Sequence, residues 1–544
     1  MTTFRGKVRW WALLVTLLAV LPAVQARAED SLSALSSPIR VAVSPELGRL
    51  VLQVAPQEES PRSDVPDAGE LRLSLREAVL LALKNNLDIA IANFNPKITA
   101  EGIIIAKAVF DPVASLTVDG NRTVTPSSSP GLSAPTRVVS NQDLNASVTH
   151  QLPIGGSYTL SLTNNRQNTN SRFAQPANGG INPSYNTILT LSVTQNLLKN
   201  FGVDVNTAPI KIARINQAIS VTQLRQQANQ VITSVHNDYW NLVFAIENLE
   251  VQKRSLRLAR ELEELNKARV RAGVAAPVEV TQAEAQAAAQ VQNVILAEKA
   301  IKDAEDQLKL ILNIPDGEKI WAKTIVPADT PPFEVGPVNA EASIQEALEK
   351  RPEYAAGKLT LQNSDLNLRV ARNQLLPSLQ VQGSLGLNGL NESNQGLGSD
   401  YTRLTSGDFP FWSAALVLSY PLGNRSARSA FIQARLTDDQ ARTSLLNLKR
   451  QIVSQVREAV RRIEADVRRV EATRAARALA EEQLRVEQKR LQAGVTTTFN
   501  VLSFQRDLAA AQANEIQAIT TYNQDLANLE LQKGTVLEKN RLEL

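Results

Sequence analysis

The chain of 544 residues contains no cysteine. That absence excludes structural disulfides, thiolate metal sites, a catalytic thiol and a lipid anchor attached through an N-terminal cysteine. Histidine is almost as scarce. Only His150 and His236 could offer an imidazole to a metal or to acid/base chemistry. His150 stands in an alternating, strand-like stretch and reads as a polar lumen or rim residue. His236 lies beside Tyr239-Trp240 and reads as a packing residue. No motif surrounds either, so no acid/base, nucleophile or metal constellation is legible. The chain is expected not to be an enzyme and to need no cofactor and no metal. Beyond the N-terminus no stretch approaches eighteen consecutive apolar residues, so no transmembrane helix is expected. Excess charge is missing too. The formal net charge is +4, and the first 28 residues hold four basic and no acidic side chains. The remainder balances, and nucleic-acid binding has no compositional support.

What is present begins with an export signal. Arg5, Lys7 and Arg9 precede an apolar run from Trp10 to Leu21, followed by the small-residue site Ala26-Arg27-Ala28. Residues 1–28 are therefore expected to be a signal peptide. Residues 29–72, rich in Ser, Pro, Glu and Asp, read as a flexible lead-in.

The rest of the chain says the same thing twice. At a constant offset of 221, Ala272-Gly273-Val274 meets Ala493-Gly494-Val495, Arg269 meets Arg490, Val280 meets Val501, and Asn293 meets Asn514. At an offset of 265, Ala82-Leu83 meets Ala347-Leu348 and Pro112 meets Pro377. The difference of 44 is an insertion in the first copy. Two copies are too few for a solenoid that buries its own core by stacking.

Within each copy the order is helix, strands, long helix, returning helix. Helical patterning from Ser74 to Phe110 stops at Asp111-Pro112, with Pro96 expected to kink or split it. From Val113 to about Leu198 the period changes to two. Leu116 and Val118 alternate with Thr117 and Asp119, and Leu160 and Leu162 with Ser161 and Thr163. Four amphipathic strands of roughly nine to eleven residues follow, the length that crosses a bilayer in a tilted barrel. Whether the extra hairpin, Gln142–Asn165 around the Pro153–Gly156 turn, joins that barrel or folds back outside it stays open. A long helix from about Thr207 to Ala272 and a return from Val278 to Asn313 complete copy one. Copy two repeats this with a helix from Ser343 to Leu376 and strands at Leu379–Leu387 and Ser413–Tyr420. Its long helix runs from Ser426 to Ala493 and its return from Phe499 to Lys533. The long helices should extend roughly 100 Å at 1.5 Å per residue. Leu445, Leu448, Ile452, Val456, Ala459, Ile463, Val467 and Val470 follow a spacing of 3, 4, 4, an eleven-residue repeat that predicts a weak or right-handed supercoil.

Four or six strands are fewer than the roughly eight that close even a small barrel. An open strand edge in lipid leaves backbone groups unpaired. The chain must therefore oligomerise, and a trimer would supply twelve strands or eighteen.

From about Leu73 to Lys533 the residues resemble the TolC family of outer-membrane efflux and export ducts. The resemblance rests on the Glu77–Asn86 opening, the strands that follow Pro112 and Pro377, Asp238–Leu242, Tyr420-Pro421-Leu422, and the Ala-Gly-Val tips followed by Val501-Leu502. It implies an α+β membrane fold, a homotrimer with an outer-membrane β-barrel continued by a long periplasmic α-helical barrel. The implied organisation is a first repeat over 73–313, an equatorial connector over 314–342, a second repeat over 343–534 and a tail over 535–544. It implies a channel that carries substrates from an inner-membrane transporter and a periplasmic adaptor protein to the outside, by tripartite efflux or type I secretion. Outer-membrane lipid is the remaining partner. Ala272, Gly273, Val274, Ala493, Gly494, Val495 and Thr496 would form the periplasmic tips that meet the adaptor. In the member that gives the family its name, the helix after the second tip carries two acidic residues, three apart, at the closed aperture. The matching positions are Asn500 and Ser503, both neutral, and in copy one Glu279 and Gln282. Glu279 is thus the expected carboxylate of the ring, with steric narrowing at Asn500, Ser503 and Phe504. The competing function is a surface or periplasmic coiled-coil adhesin without transport. It explains the helices but not membrane-length strands at the same end of both repeats.

Two further patterns are read conservatively. Arg428, Arg435, Arg442 and Lys449 recur every seven residues and are expected on a solvated helix face rather than lining the duct. Phe409, Phe411, Trp412 and Tyr420 bracket the last strand as an aromatic girdle would.

Overall fold

The computed structural model describes residues 69–126, 136–314, 321, 323–390 and 397–542. The expected signal segment, residues 29–68 of the lead-in, residues 315–320 and 322 of the connector and the last two residues of the tail lie outside the described residues. The chain forms two compact units, and each repeat contributes to both. The chain passes between them within four helices. Among the described residues no helix is long and apolar enough to cross a membrane.

One unit is built on a six-stranded antiparallel sheet. In sheet order its strands are β2 (Val113–Pro126), β3 (Thr136–Leu152), β4 (Gly156–Thr169), β5 (Ser184–Asn196), β7 (Ser378–Asn388) and β8 (Pro410–Ser419). The hairpin left open by the sequence is therefore part of the sheet. β3 and β4 stand between β2 and β5, paired on both sides. Strands of the first copy run to 13–17 residues, longer than the alternation alone suggested. The period of two sorts the sheet into two faces. Leu116, Ala146, Leu162, Leu189 and Leu387 share one cross-strand row. The opposite face carries hydroxyls and amides, such as Ser147, Ser161 and Thr190 in register. A helix that the sequence did not announce, Leu397–Ser406, joins β7 to β8.

Helices fill the second unit. In chain order, α1 (Leu75–Asn85) and α2 (Leu87–Lys107) precede the sheet, and α3 (Ala208–Arg271) and α4 (Pro277–Leu312) follow its first four strands. Copy two supplies α5 (Ala340–Lys350) and α6 (Pro352–Asn373), then, after the connector helix α7 (Leu397–Ser406), α8 (Arg425–Gln492) and α9 (Thr498–Lys533). The bounds of α1 and α5 differ by the same 265 residues as their sequences, and those of α4 and α9 agree with the offset of 221. Ser74 starts α1 with a reciprocal cap, its hydroxyl taking the Glu77 N–H while the Glu77 carboxylate takes the Ser74 N–H.

The break expected at Pro96 falls instead at Asn86. Pro96 lies inside a continuous α2. Asn86 closes α1 by donating its N–H to the Ala82 carbonyl at 2.8 Å. Its side-chain oxygen then accepts the N–H groups of Asp88 and Ile89, at 2.9 and 3.1 Å, to start α2. One asparagine ends one helix and begins the next. Residues 70–72, expected in the flexible lead-in, form strand β1 (Glu70–Leu73), which pairs in parallel with β6 (Thr324–Pro327). Beneath it a core gathers Ala78, Val79, Ile232, Val235, Tyr239, Leu242 and Leu308. A second core contains Ile452, Val456, Ala459, Ile463 and Val470 of α8, with Leu448 and Val467 half-buried beside them. That is the eleven-residue stripe. It packs against Ala518, Tyr522 and Leu529 of α9.

Candidate functional site

The two helical turns are built identically. At the end of α3, Gly273 takes φ +76°, its N–H reaching the Val270 carbonyl and the Val274 N–H reaching that of Arg269, both at 3.0 Å. At the end of α8, Gly494 takes φ +75°, with Gly494 and Val495 bonded to Leu491 and Arg490 at the same distances. This pair of bonds satisfies the last carbonyls of a helix, and its left-handed residue favours glycine. Each turn leaves apolar side chains in water. Val274 and Val495 are 66% and 65% exposed, and the next equivalent pair, Val278 and Phe499, are each 58% exposed. Solvating apolar side chains at the same two positions in both copies is a standing cost unless something covers them. The other tip residues, Ala272 and Ala493, are exposed as well, while Thr496 is half-buried.

Behind the turns a polar latch joins the copies. Thr498 of α9, fully buried, places its hydroxyl 2.7 Å from the Glu279 carboxylate of α4 and 3.2 Å from the side-chain oxygen of buried Asn266 in α3. The Asn266 amide donates in turn to the Glu279 carbonyl at 3.3 Å. In the second turn the chemistry is exchanged. Glu487 stands where copy one has Asn266, and Asn500 stands where it has Glu279. There the Thr496 hydroxyl donates to Glu487, Asn500 donates to Thr496 at 3.1 Å, and Arg490 pairs with Glu487 at 3.2 Å. Each turn thus holds one acid and one amide, with their positions swapped.

A family model described as "Outer membrane efflux protein" matches residues 78–313 and 343–535. The chain belongs to that family. It is an outer-membrane efflux channel that extends into the periplasm. Nodulation protein T of Rhizobium leguminosarum bv. trifolii is 21% identical over 72% of this chain and 78% of its own length. The pyoverdine export outer membrane protein OpmQ of Pseudomonas putida is 28% identical over 55% of this chain and 60% of its own. Among solved structures, the CmeC outer membrane channel of Campylobacter jejuni covers 85% of this chain and 86% of its own at 16% identity, with a TM-score of 0.60. The open state of the Neisseria gonorrhoeae MtrE outer membrane channel covers 89% and 98% at 18% identity and 0.58.

In this efflux protein the five aperture candidates do not share one environment. Gln282 and Asn500 are exposed, Glu279 and Ser503 half-buried. Phe504 packs against the buried cluster of Leu262, Leu484, Val501 and Leu502. Thr498 was missed by the sequence reading, since its partner Glu279 is 219 residues away. Of the aromatic residues around the last strand, Trp412 lies on the apolar face, while Phe411 lies on the polar face over Gly386, where any side chain would collide with the ring. Arg403 stacks on Phe409 at 5.7 Å. Arg428, Arg435, Arg442 and Lys449 are exposed.

Further buried charge lies along the helices. Asp466 of α8 is 6% exposed. Burial and then the adjacent Asp525 of α9 push its carboxyl up to about 6, with Arg469 and Arg462 pulling the other way. His236 is driven below its usual range by burial, with the Asn540 side chain pulling the other way. His150 bonds through Nδ1 to the Tyr158 hydroxyl at 3.0 Å on the apolar face of the sheet.

Proposed function

We propose that three copies of the chain close into one duct. Its sheets form a barrel in the outer membrane, and its helices form the periplasmic conduit that receives cargo from an inner-membrane transporter through a periplasmic adaptor. The observation that carries this reading is the pair of free edges, β2 and β8, on a sheet with one apolar face. β8 is uncharged and exposed along its whole length. Such an edge is a template for another strand, and in lipid it must be paired. Each protomer contributes an even number of antiparallel strands, so β8 of one copy meets β2 of the next in antiparallel sense. The turns at Gly273 and Gly494 serve as six quasi-equivalent contacts for the adaptor, through Val274, Val278, Val495 and Phe499. Glu279 supplies the carboxylate nearest the aperture.

In mild detergent the protein should have a protomer count of three by native mass spectrometry and should conduct ions in planar bilayers. A folded, stable monomer would sink the closed-duct reading. At the aperture, Glu279→Gln should reduce cation preference and divalent block. Strong block that survives the substitution would place the charged constriction elsewhere.

A further inference from the structure

The order of the strands carries a consequence for cargo that the family assignment does not. We infer that the assembled barrel has eighteen strands, and that its wide, nearly uncharged lumen passes bulky hydrated cargo of neutral polar surface, such as oligosaccharide chains. This rests on the trimer reading. Three six-stranded sheets give the count, provided that the β3–β4 hairpin lies in the membrane with the other four strands.

Register argues that it does. One continuous cross-strand row runs through Ala114, Val148, Leu160, Leu191, Leu385 and Trp412. The hairpin's own apolar residues thus stand at the height of those in the strands that flank it, with no step. In the protomer Leu160 is 45% exposed and Trp412 65%. A hairpin folded back into water would have no reason to keep its leucines and valines on one face in that register. Nor do β2 and β5 pair with each other. In the observed order β2 joins the rest of the sheet only through the hairpin, since it bonds to β3 alone among the described strands.

Width follows from number. Strands are spaced about 4.8 Å apart and barrel diameter grows roughly linearly with strand count. Eighteen strands therefore give about 1.5 times the diameter of twelve. The lumen face is chemically uniform. Among the described strand residues on it, Asp119, Arg137 and Asp143 are the ionisable ones, and Asp143 accepts a hydrogen bond from Asn165. The remainder is mostly Ser, Thr, Asn and Gln, groups that exchange hydrogen bonds with water or a sugar hydroxyl without selecting a charge.

The absence of native cysteine makes the test clean. In the full-length trimer in liposomes, Ser161→Cys and Leu160→Cys are probed with a membrane-impermeant maleimide. Ser161→Cys should react and Leu160→Cys should be protected until detergent is added. Equal labelling of the two in an intact trimer would remove the hairpin from the membrane and overturn the inference while leaving the duct standing. A preparation that is not trimeric would instead overturn the duct itself. Width is read with Ser192→Cys on β5 and a graded series of polyethylene-glycol maleimides added from outside. The full chain should admit larger polymers than a variant lacking residues 136–169. An equal cut-off would refute the wider barrel. Should the deletion fail to assemble, counting strands in a cryo-EM map of the full-length trimer decides, with twelve refuting the inference. For cargo, liposome efflux of a neutral dextran should exceed that of a sulfated dextran of equal size. The reverse order would overturn the assigned cargo class.

Discussion

At the scale of single residues, buried charge sets the pH response. Asp466 holds its proton up to about 6 against an ordinary 3.8, because burial and the neighbouring Asp525 both disfavour its anion. A folded-state value above the unfolded one means that the native chain binds the proton more tightly. This contribution is fully present below the ordinary carboxylate value and is lost as pH rises from about 4 to 6. Asp466→Asn should therefore stabilise the protein at pH 7.5 by on the order of 1–2 kcal/mol, and flatten the stability profile between pH 4 and 6. Denaturant melts at pH 5 and 7.5 measure both. An unchanged profile would mean that the pair is relaxed by water or by Arg462 and Arg469. This pairing was invisible in sequence, since Asp466 and Asp525 look like two of many surface acids. Asn86 was equally illegible. Proline announces a helix break, but an asparagine that both ends one helix and caps the next looks like an ordinary polar residue until the backbone is seen.

Elements were far more legible than their contacts. Long helices declared themselves by period, and the seam from Leu445 to Val470 is buried or half-buried where the spacing of 3, 4, 4 placed it. The two turns were fixed by the repeated Ala-Gly-Val, and their matching geometry follows from glycine's access to positive φ. Alanine at Gly273 or Gly494 meets open space but must adopt that left-handed backbone. Each substitution should cost about 1 kcal/mol per turn, visible as a lower unfolding midpoint. Thr498→Val keeps the shape of the buried side chain and removes its hydroxyl, leaving Glu279 and Asn266 without that donor. It should cost about 1–3 kcal/mol, and double-mutant cycles with Glu279→Gln should show coupling. Additive losses would mean that the hydroxyl contributes little. What the sequence reading missed were β1 and the helix Leu397–Ser406, the first only four residues long and the second only ten.

At the scale of the whole molecule, duplication explains both what is shared and what is not. Both copies keep the turn and its exposed apolar residues, yet they exchange the acid and amide behind it, so in the proposed trimer the six turns would be alike outside and alternate inside. The swap follows from the offset of 221, but Thr498's place in it does not, because nothing local relates residue 498 to residue 279. The exposed pairs make the sharpest claim about the assembly. Val278 and Phe499 occupy equivalent positions and are equally exposed, and burying such a side chain contributes about 1.5–3 kcal/mol. If an adaptor covers all six, Val278→Glu removes three of those contacts and Phe499→Glu the other three, at about tenfold in affinity for each 1.4 kcal/mol. The phenylalanine substitution should do more harm, since its ring offers the larger area. Both variants should still trimerise and reach the outer membrane, because neither residue belongs to a buried core or to the sheet. Efflux in cells, measured beside trimer yield, should fall in each single variant and disappear in the double. Full efflux by the double variant at normal trimer levels would mean that the turns are not where the partner docks.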